Sequence, residues 1–306
     1  MEQNDNQANK NEIQFGYYLV AFIDVLDQRT ALKALTDLPS DEEEKKEFIE
    51  KLKETFGVVD GVRKLIKSSY EAYLRTNESL LEKLNEEQKD IYKKLRKTEL
   101  KFQYFGDTIL TFCSLANNLG ITPINAVYNI LITYGNMLLI SLAAKRPLRG
   151  AIEIGIGGEF FPGEIYGSCL NEAFRLECEI AQYPRIIIGK NVIAYLLSQK
   201  EKEGDDVATR YQKRLAETCL ELITEDVDGY YIVDYLGKRF REFMKRAKVE
   251  ETIIKDAFAF VQEQAEKWQK GQNTKLAFRY NLLRQYFGMK LIGEQVKLEE
   301  TGDGKH

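Results

Sequence analysis

The sequence predicts an α/β protein, an α+β sandwich in which helices cover a largely antiparallel sheet, and three observations predict it. A continuous apolar run, YYLVAFID at 17–24, reads as a buried central strand. A hairpin, LKFQYFGDTILTFC at 100–113, sets two alternating runs on either side of Gly106 and Asp107. Strand-like and helix-like segments then alternate through the rest of the 306 residues, which suits one large domain with insertions.

Taken in order, the first strand ends in an acid, Asp24. Residues 38–98 become charged and periodic, with Phe48, Leu52 and Phe56, then Leu81, Leu84, Ile91 and Leu95, at helical spacing. This predicts a helical insertion of two or three amphipathic helices, whose DEEEKK run is a solvated helix start. After the hairpin come an apolar helix from about Pro123 to Ala144 and a strand, LRGAIEIGIG, at 148–157. The Gly- and Pro-rich GGEFFPGE reads as a turn into a helix that starts near Ser168. PRIIIG at 184–189 and GYYIVDY at 229–235 read as strands with a helix between them, and 246–288 as helical. The expected organisation is a core domain at 12–240, a C-terminal helical extension at 241–290, and flexible tails at 1–11 and 291–306. Phe258, Phe260, Trp268 and Phe278 fall at helical spacing and read as packing or dimer contacts. GIGG at 155–158 lacks the strand-to-helix setting of a dinucleotide fingerprint.

Composition narrows the chemistry. A net charge of -4 and a pI near 5.5 give no basic field for nucleic acid, although a local positive cluster could still hold a small anion. No apolar run approaches the ~18 residues of a membrane span, and the N-terminus lacks a signal-peptide pattern. The four cysteines show no CxxC spacing and read as reduced, mostly buried thiols, so the expected location is cytoplasmic. The one histidine is His306, which excludes histidine bases, catalytic triads and histidine-rich metal sites. Catalysis would have to use carboxylates, metals, Arg, Lys or amides.

Two acids occupy corresponding places, Asp24 at the end of the first strand and Asp107 in the hairpin turn. If that strand lies against the hairpin, their carboxylates converge at one edge of the sheet, and hard oxygen ligands there suit Mg²⁺ or Mn²⁺. Either acid alone also serves as an ordinary turn former. Gly106, without a Cβ, takes the turn and admits a close approach to the backbone. Asn171 and Arg175, four apart on the helix after Ser168, share a face and offer an amide and a guanidinium to a phosphate, or simply form its polar face.

FID at 22–24, FGDTILTF at 105–112, RGAIEIGIGGE at 149–159 and EIYGSCLNEAFRLE at 164–177 resemble, in order, the core motifs of class III nucleotidyl cyclases. The last two, with YPRIIIG at 183–189, are most similar to the bacterial Pycsar pyrimidine cyclases, and the resemblance covers about 150 residues. It implies a ferredoxin-like cyclase fold and a homodimer with active sites across the interface. Asp24 and Asp107 would hold two Mg²⁺ or Mn²⁺ ions per site, and Asn171 and Arg175 would position the ribose and stabilise the transition state. The implied reaction turns a nucleoside triphosphate into its 3′,5′-cyclic monophosphate and pyrophosphate, as an antiphage signal. Where purine cyclases carry Lys and Asp, or Glu and Cys, this chain has Gln103 and Glu164, so neither purine code is present. Gln offers a donor and an acceptor and Glu acceptors, a pair able to read cytosine or uracil, or else a plain strand residue and turn acid. The expected substrate is therefore UTP or CTP, with Arg149 a further contact to phosphate or base or a surface residue.

Departures from the pattern also stand in the sequence. Leu26, Asp27 and Gln28 follow the first metal acid, and Asp27, where a glycine is usual, repels phosphate unless a metal or Arg29 screens it. The late triphosphate-binding lysine has only Lys238 and Arg239 as candidates. A degenerate cyclase fold kept as a nucleotide sensor, or a metal-dependent phosphodiesterase or nuclease, are the rival readings.

Overall fold

The computed structural model describes residues 14–26, 37–74, 84–96, 99–115, 124–246 and 252–302, with positions 35 and 82. Asp27, Gln28, Arg29, Leu81, Pro123, His306 and the 1–11 tail lie outside the described residues. The elements run β1 (Gln14–Val25), α1 (Glu42–Leu74), α2 (Glu86–Arg96), β2 (Lys101–Phe105), β3 (Thr108–Ser114), α3 (Ile124–Ala143), β4 (Leu148–Phe161) and β5 (Glu164–Gly167). There follow α4 (Ser168–Arg175), β6 (Ile186–Ile188), α5 (Lys190–Lys200), α6 (Val207–Leu220), β7 (Ile223–Glu225), β8 (Tyr231–Val233), α7 (Lys238–Arg246), α8 (Thr252–Lys270) and α9 (Thr274–Gly302).

The eight strands form one mostly antiparallel sheet in the order β2-β3-β1-β4-β6-β8-β7, with β5 on the free end of β4 and a parallel step between β4 and β6. β1 is central because both of its faces are apolar. Leu19, Ala21 and Ile23 face the main core under the helices, while Tyr18, Val20 and Phe22 face a smaller cluster with Ile165, Cys169 and Ala173. The helix α3 is apolar on nearly every side and runs through the main core.

The structure corrects several expectations. Ile124–Ala143 is long and apolar enough to cross a membrane by length and composition, contrary to the sequence estimate, but 78% of that stretch is buried inside the protein, as in a core helix. GGEFFPGE is no simple turn: β4 runs on to Phe161 and pairs with β5 around Gly163. The single helix expected between the strands at 184–189 and 229–235 is two, α5 and α6, and β7 follows them. Phe56 is 59% exposed and Leu52 39%, so among the described residues these two positions of the first half of α1 meet no core, whereas Val59, Val62 and Ile66 reach it. The last helix continues to Gly302, past residue 290.

All four cysteines are free, and three are buried. Phe258 stacks on Phe287 and Phe260 packs edge-on against Tyr280, so these two are packing residues, while Phe278 is exposed.

Candidate functional site

The sheet brings Asp24 and Asp107 to one end. Asp24 ends the row Tyr18, Val20, Phe22 and lies opposite Thr108 of β3 and Arg149 of β4. The next residue back on the hairpin is Asp107, whose carbonyl accepts the Val25 N–H at 3.3 Å, so the acids are one register step apart. Gly106 turns the hairpin at φ 57° with open space where a Cβ would sit, so its requirement is conformational. Arg63, from the insertion helix α1, donates to the Gly106 carbonyl at 3.2 Å and lies 4.3 Å over the Tyr104 ring. The insertion therefore braces the turn that carries Asp107.

Asp24 is already engaged. Arg149 Nη2 is 3.3 Å from Asp24 Oδ2, and Arg149 Nε is 2.6 Å from Glu177 Oε1. The second contact lacks hydrogen-bond alignment, leaving both buried atoms bound by charge alone. Arg149 thus belongs to the Asp24 corner. Glu177 was not singled out from the sequence; it is swung inward by a π-turn, Leu176–Ile180, that follows α4. Among the described residues no group of three or more His, Cys, Asp or Glu could hold a metal. Asp24 and Asp107 lie one backbone register step apart, and a pair of carboxylates is a donor set that Mg²⁺ uses, since it keeps waters and borrows substrate phosphate oxygens.

The helix α4 lies on the same face as Asp24. Gly157 permits it: a Cβ there would stand 2.6 Å from Cys169 Sγ and 3.0 Å from Ile165 Cδ1. Phe174 packs edge-on against Phe22 at 5.5 Å, fixing the helix beside β1. Asn171 is exposed and helps line a cleft of about 570 Å³ with Phe22, Phe105, Tyr166 and Phe174. Arg175 is held bidentately by Glu172 at 2.9 and 2.7 Å, with Glu179 at 3.5 Å. The hydrogen bonds that Arg175 donates to Glu172 push the Arg175 pKa up and hold Glu172 below the usual carboxylate range.

A second cleft, about 490 Å³, shares Phe105, Tyr166 and Leu170 with the first and is lined by both Gln103 and Glu164. Gln103 Oε1 is buried without a hydrogen-bond partner, while Glu164 is exposed at the start of β5. The structure so gathers Gln103, Glu164 and Asn171 along one aromatic-lined surface, and Asp24, Asp107 and Arg149 at the sheet end. Lys238 and Arg239 belong to neither group: they open α7 after β8, and Arg239 is paired with Glu221 at 2.5 Å and Glu242 at 3.2 Å. Behind the site, Glu153 on β4 is 1% exposed and accepts the Ile154 N–H at 2.7 Å. Burial pushes its pKa up to about 7, with a smaller contribution from Glu172.

No protein-family model matches the chain, and no curated protein matches it.

Proposed function

We propose that the protein is a homodimeric pyrimidine nucleotidyl cyclase of the class III, Pycsar-like type, cytoplasmic and acting on UTP or CTP. One observation carries the reading: Gln103 and Glu164, far apart in sequence and named for base recognition, line one cleft, and Gln103 Oε1 is a buried acceptor without a partner. That oxygen would accept from the cytosine amino group or the uracil N3–H, and Phe105, Phe161 and Tyr166 offer ring faces to a base. Asn171, which lines the adjoining cleft, would meet the ribose, and Arg175 would turn from Glu172 to phosphate.

Asp24 and Asp107 would hold Mg²⁺ or Mn²⁺, which when bound supplies charge neutralisation and a more acidic 3′-hydroxyl. Exposed Phe161 and Tyr166, at 67% and 72%, border the clefts and suit a second copy of the chain, whose acids would face this subunit's Asn171 and Arg175.

The test is mass spectrometry of products after purified protein meets all four nucleoside triphosphates with Mn²⁺. A cyclic pyrimidine monophosphate and pyrophosphate are expected, falling at least about a hundredfold in Asp24→Ala, where several kcal/mol of charge stabilisation are removed. No cyclic product from any triphosphate would end the proposal. The second reading, a catalytically silent nucleotide sensor, is favoured by the ion pair that already occupies Asp24. It expects nucleotide affinity that survives Asp24→Ala without any turnover.

A further inference from the structure

Next to the Asp24 end of β1 lies a small cavity of about 100 Å³, room for about three waters, lined in part by Leu26, Gln182, Pro184, Trp268 and Arg279. Two of its walls come from α8 and α9, the C-terminal helices that the sequence reading sets outside the core domain. Its polar lining is unusual in sign. Arg279 Nη2 reaches only a neutral partner, donating to Gln182 Oε1 at 2.5 Å, and no carboxylate of the described residues pairs with it. Trp268 Nε1 is buried without a hydrogen-bond partner. Among the described residues no Asp or Glu lines the cavity. Burial lowers the Arg279 pKa, and repulsion from another guanidinium, Arg149, lowers it further. Arg149 has Asp24 and Glu177 to balance it, whereas no carboxylate of the described residues plays that part for Arg279.

Arg279, with only a neutral amide as its partner, and the Trp268 indole N–H, buried with none, leave a positive charge and one donor unmatched at this cavity. A phosphoryl group fits both: it supplies several acceptor oxygens and the negative charge that Arg279 lacks. Leu26, which lines the cavity, is two residues beyond Asp24 and just past the end of β1, the sheet end where Arg149 pairs with Asp24 in register.

We infer that Arg279 and the Trp268 indole form a phosphate-binding site, contributed by the C-terminal helices, for the phosphate tail of a nucleotide whose metal-bound portion lies at Asp24. The nucleotide as source rests on the cyclase reading; the anion site itself does not. Arg279 would do the work for which Lys238 and Arg239 are badly placed. The C-terminal helices would then be part of the substrate site.

The protein carries its own reporter, because Trp268 is its single tryptophan. Inorganic pyrophosphate is titrated into the full-length protein without divalent metal, at fixed ionic strength, and tryptophan fluorescence is read. The wild type is expected to give a saturable change, Arg279→Gln to weaken its midpoint at least tenfold, and Arg279→Lys to restore part of it. Arg239→Gln, a surface arginine already paired with glutamates, should match the wild type. An unchanged midpoint in Arg279→Gln overturns the site, as does no saturable signal in the wild type. Circular dichroism of each variant separates misfolding from lost binding, and a misfolded Arg279→Gln passes the decision to Arg279→Lys and the wild-type titration. Triphosphate turnover is scored separately: pyrophosphate binding with no cyclic product keeps the anion site and removes the cyclase reading. Cyclic product with unchanged binding in Arg279→Gln does the reverse.

Discussion

Glu153 offers a quantitative test of how the site end of the sheet is built. Its carboxyl is sealed between β4 and the start of α5, so close to Gly189 that a Cβ there would overlap it. Burial moves its pKa from an ordinary 4.5 up to about 7. The folded state therefore holds this proton more tightly than the unfolded chain. The stability linked to it is fully present below about pH 4.5 and is lost as pH rises through 7. The difference between those two values corresponds to roughly 3 kcal/mol, undiscounted for solvent because the side chain is buried. Urea denaturation of the wild type and of Glu153→Gln at pH 5, 6, 7 and 8 reads this directly, where the pH values are about a unit apart. The variant's stability should fall less across that range, by about 2.5 kcal/mol between the extremes, since part of the linkage is already lost at pH 5. Comparing slopes removes any fixed cost of placing an amide at the α5 N-terminus. Identical slopes in the two proteins would refute the reasoning, because Glu153 would then titrate alike folded and unfolded.

Gly157→Ala should cost about 1–3 kcal/mol by urea denaturation, since its methyl meets Cys169 Sγ at 2.6 Å, and Cys169→Ala in the same chain should recover part of that loss. Arg185, 2% exposed, binds Asp226 and Asp228 at 2.5 and 2.6 Å and the Ile180 carbonyl at 2.7 Å, so Arg185→Met should cost roughly 3–5 kcal/mol on thermal or urea unfolding. Arg63→Ala should leave global stability within about 1 kcal/mol yet speed amide exchange at Asp107 and Thr108 severalfold, because the brace on the hairpin turn is lost.

Local signals were the legible part of this chain. The hairpin was written in its alternation and in Gly106, whose positive φ the turn demands, and β1 in an apolar run with both faces buried. The helix from Ile124 and the pairing of Asn171 with Arg175 on one face followed from the 3.6-residue period. Gln103 and Glu164 were found only through a family resemblance, since nothing local says that β2 and β5 share a cleft. Long-range features stayed hidden. Glu177 is turned toward Arg149 by a π-turn that no local spacing marks, and Arg279 meets Gln182 across 97 residues. Leu52 and Phe56 had the right period yet stay exposed among the described residues, because period gives a face and not its neighbour. β5 was missed because Gly and Pro in GGEFFPGE describe the bend and mask the short strand beyond it.

The contact of Arg149 with Asp24 has a consequence for the order of arrival at that corner. A divalent cation approaching Asp24 meets an oxygen whose charge is already shared with a fixed guanidinium, and it must outcompete that neighbour or push it onto Glu177. A bare ion gains little from such an exchange, whereas one escorted by polyphosphate brings the anion that the displaced guanidinium then needs. On the proposed cyclase reading, loading of the resting protein would be a concerted event, gated by an internal understudy that leaves the stage only when the replacement comes with its own counterion.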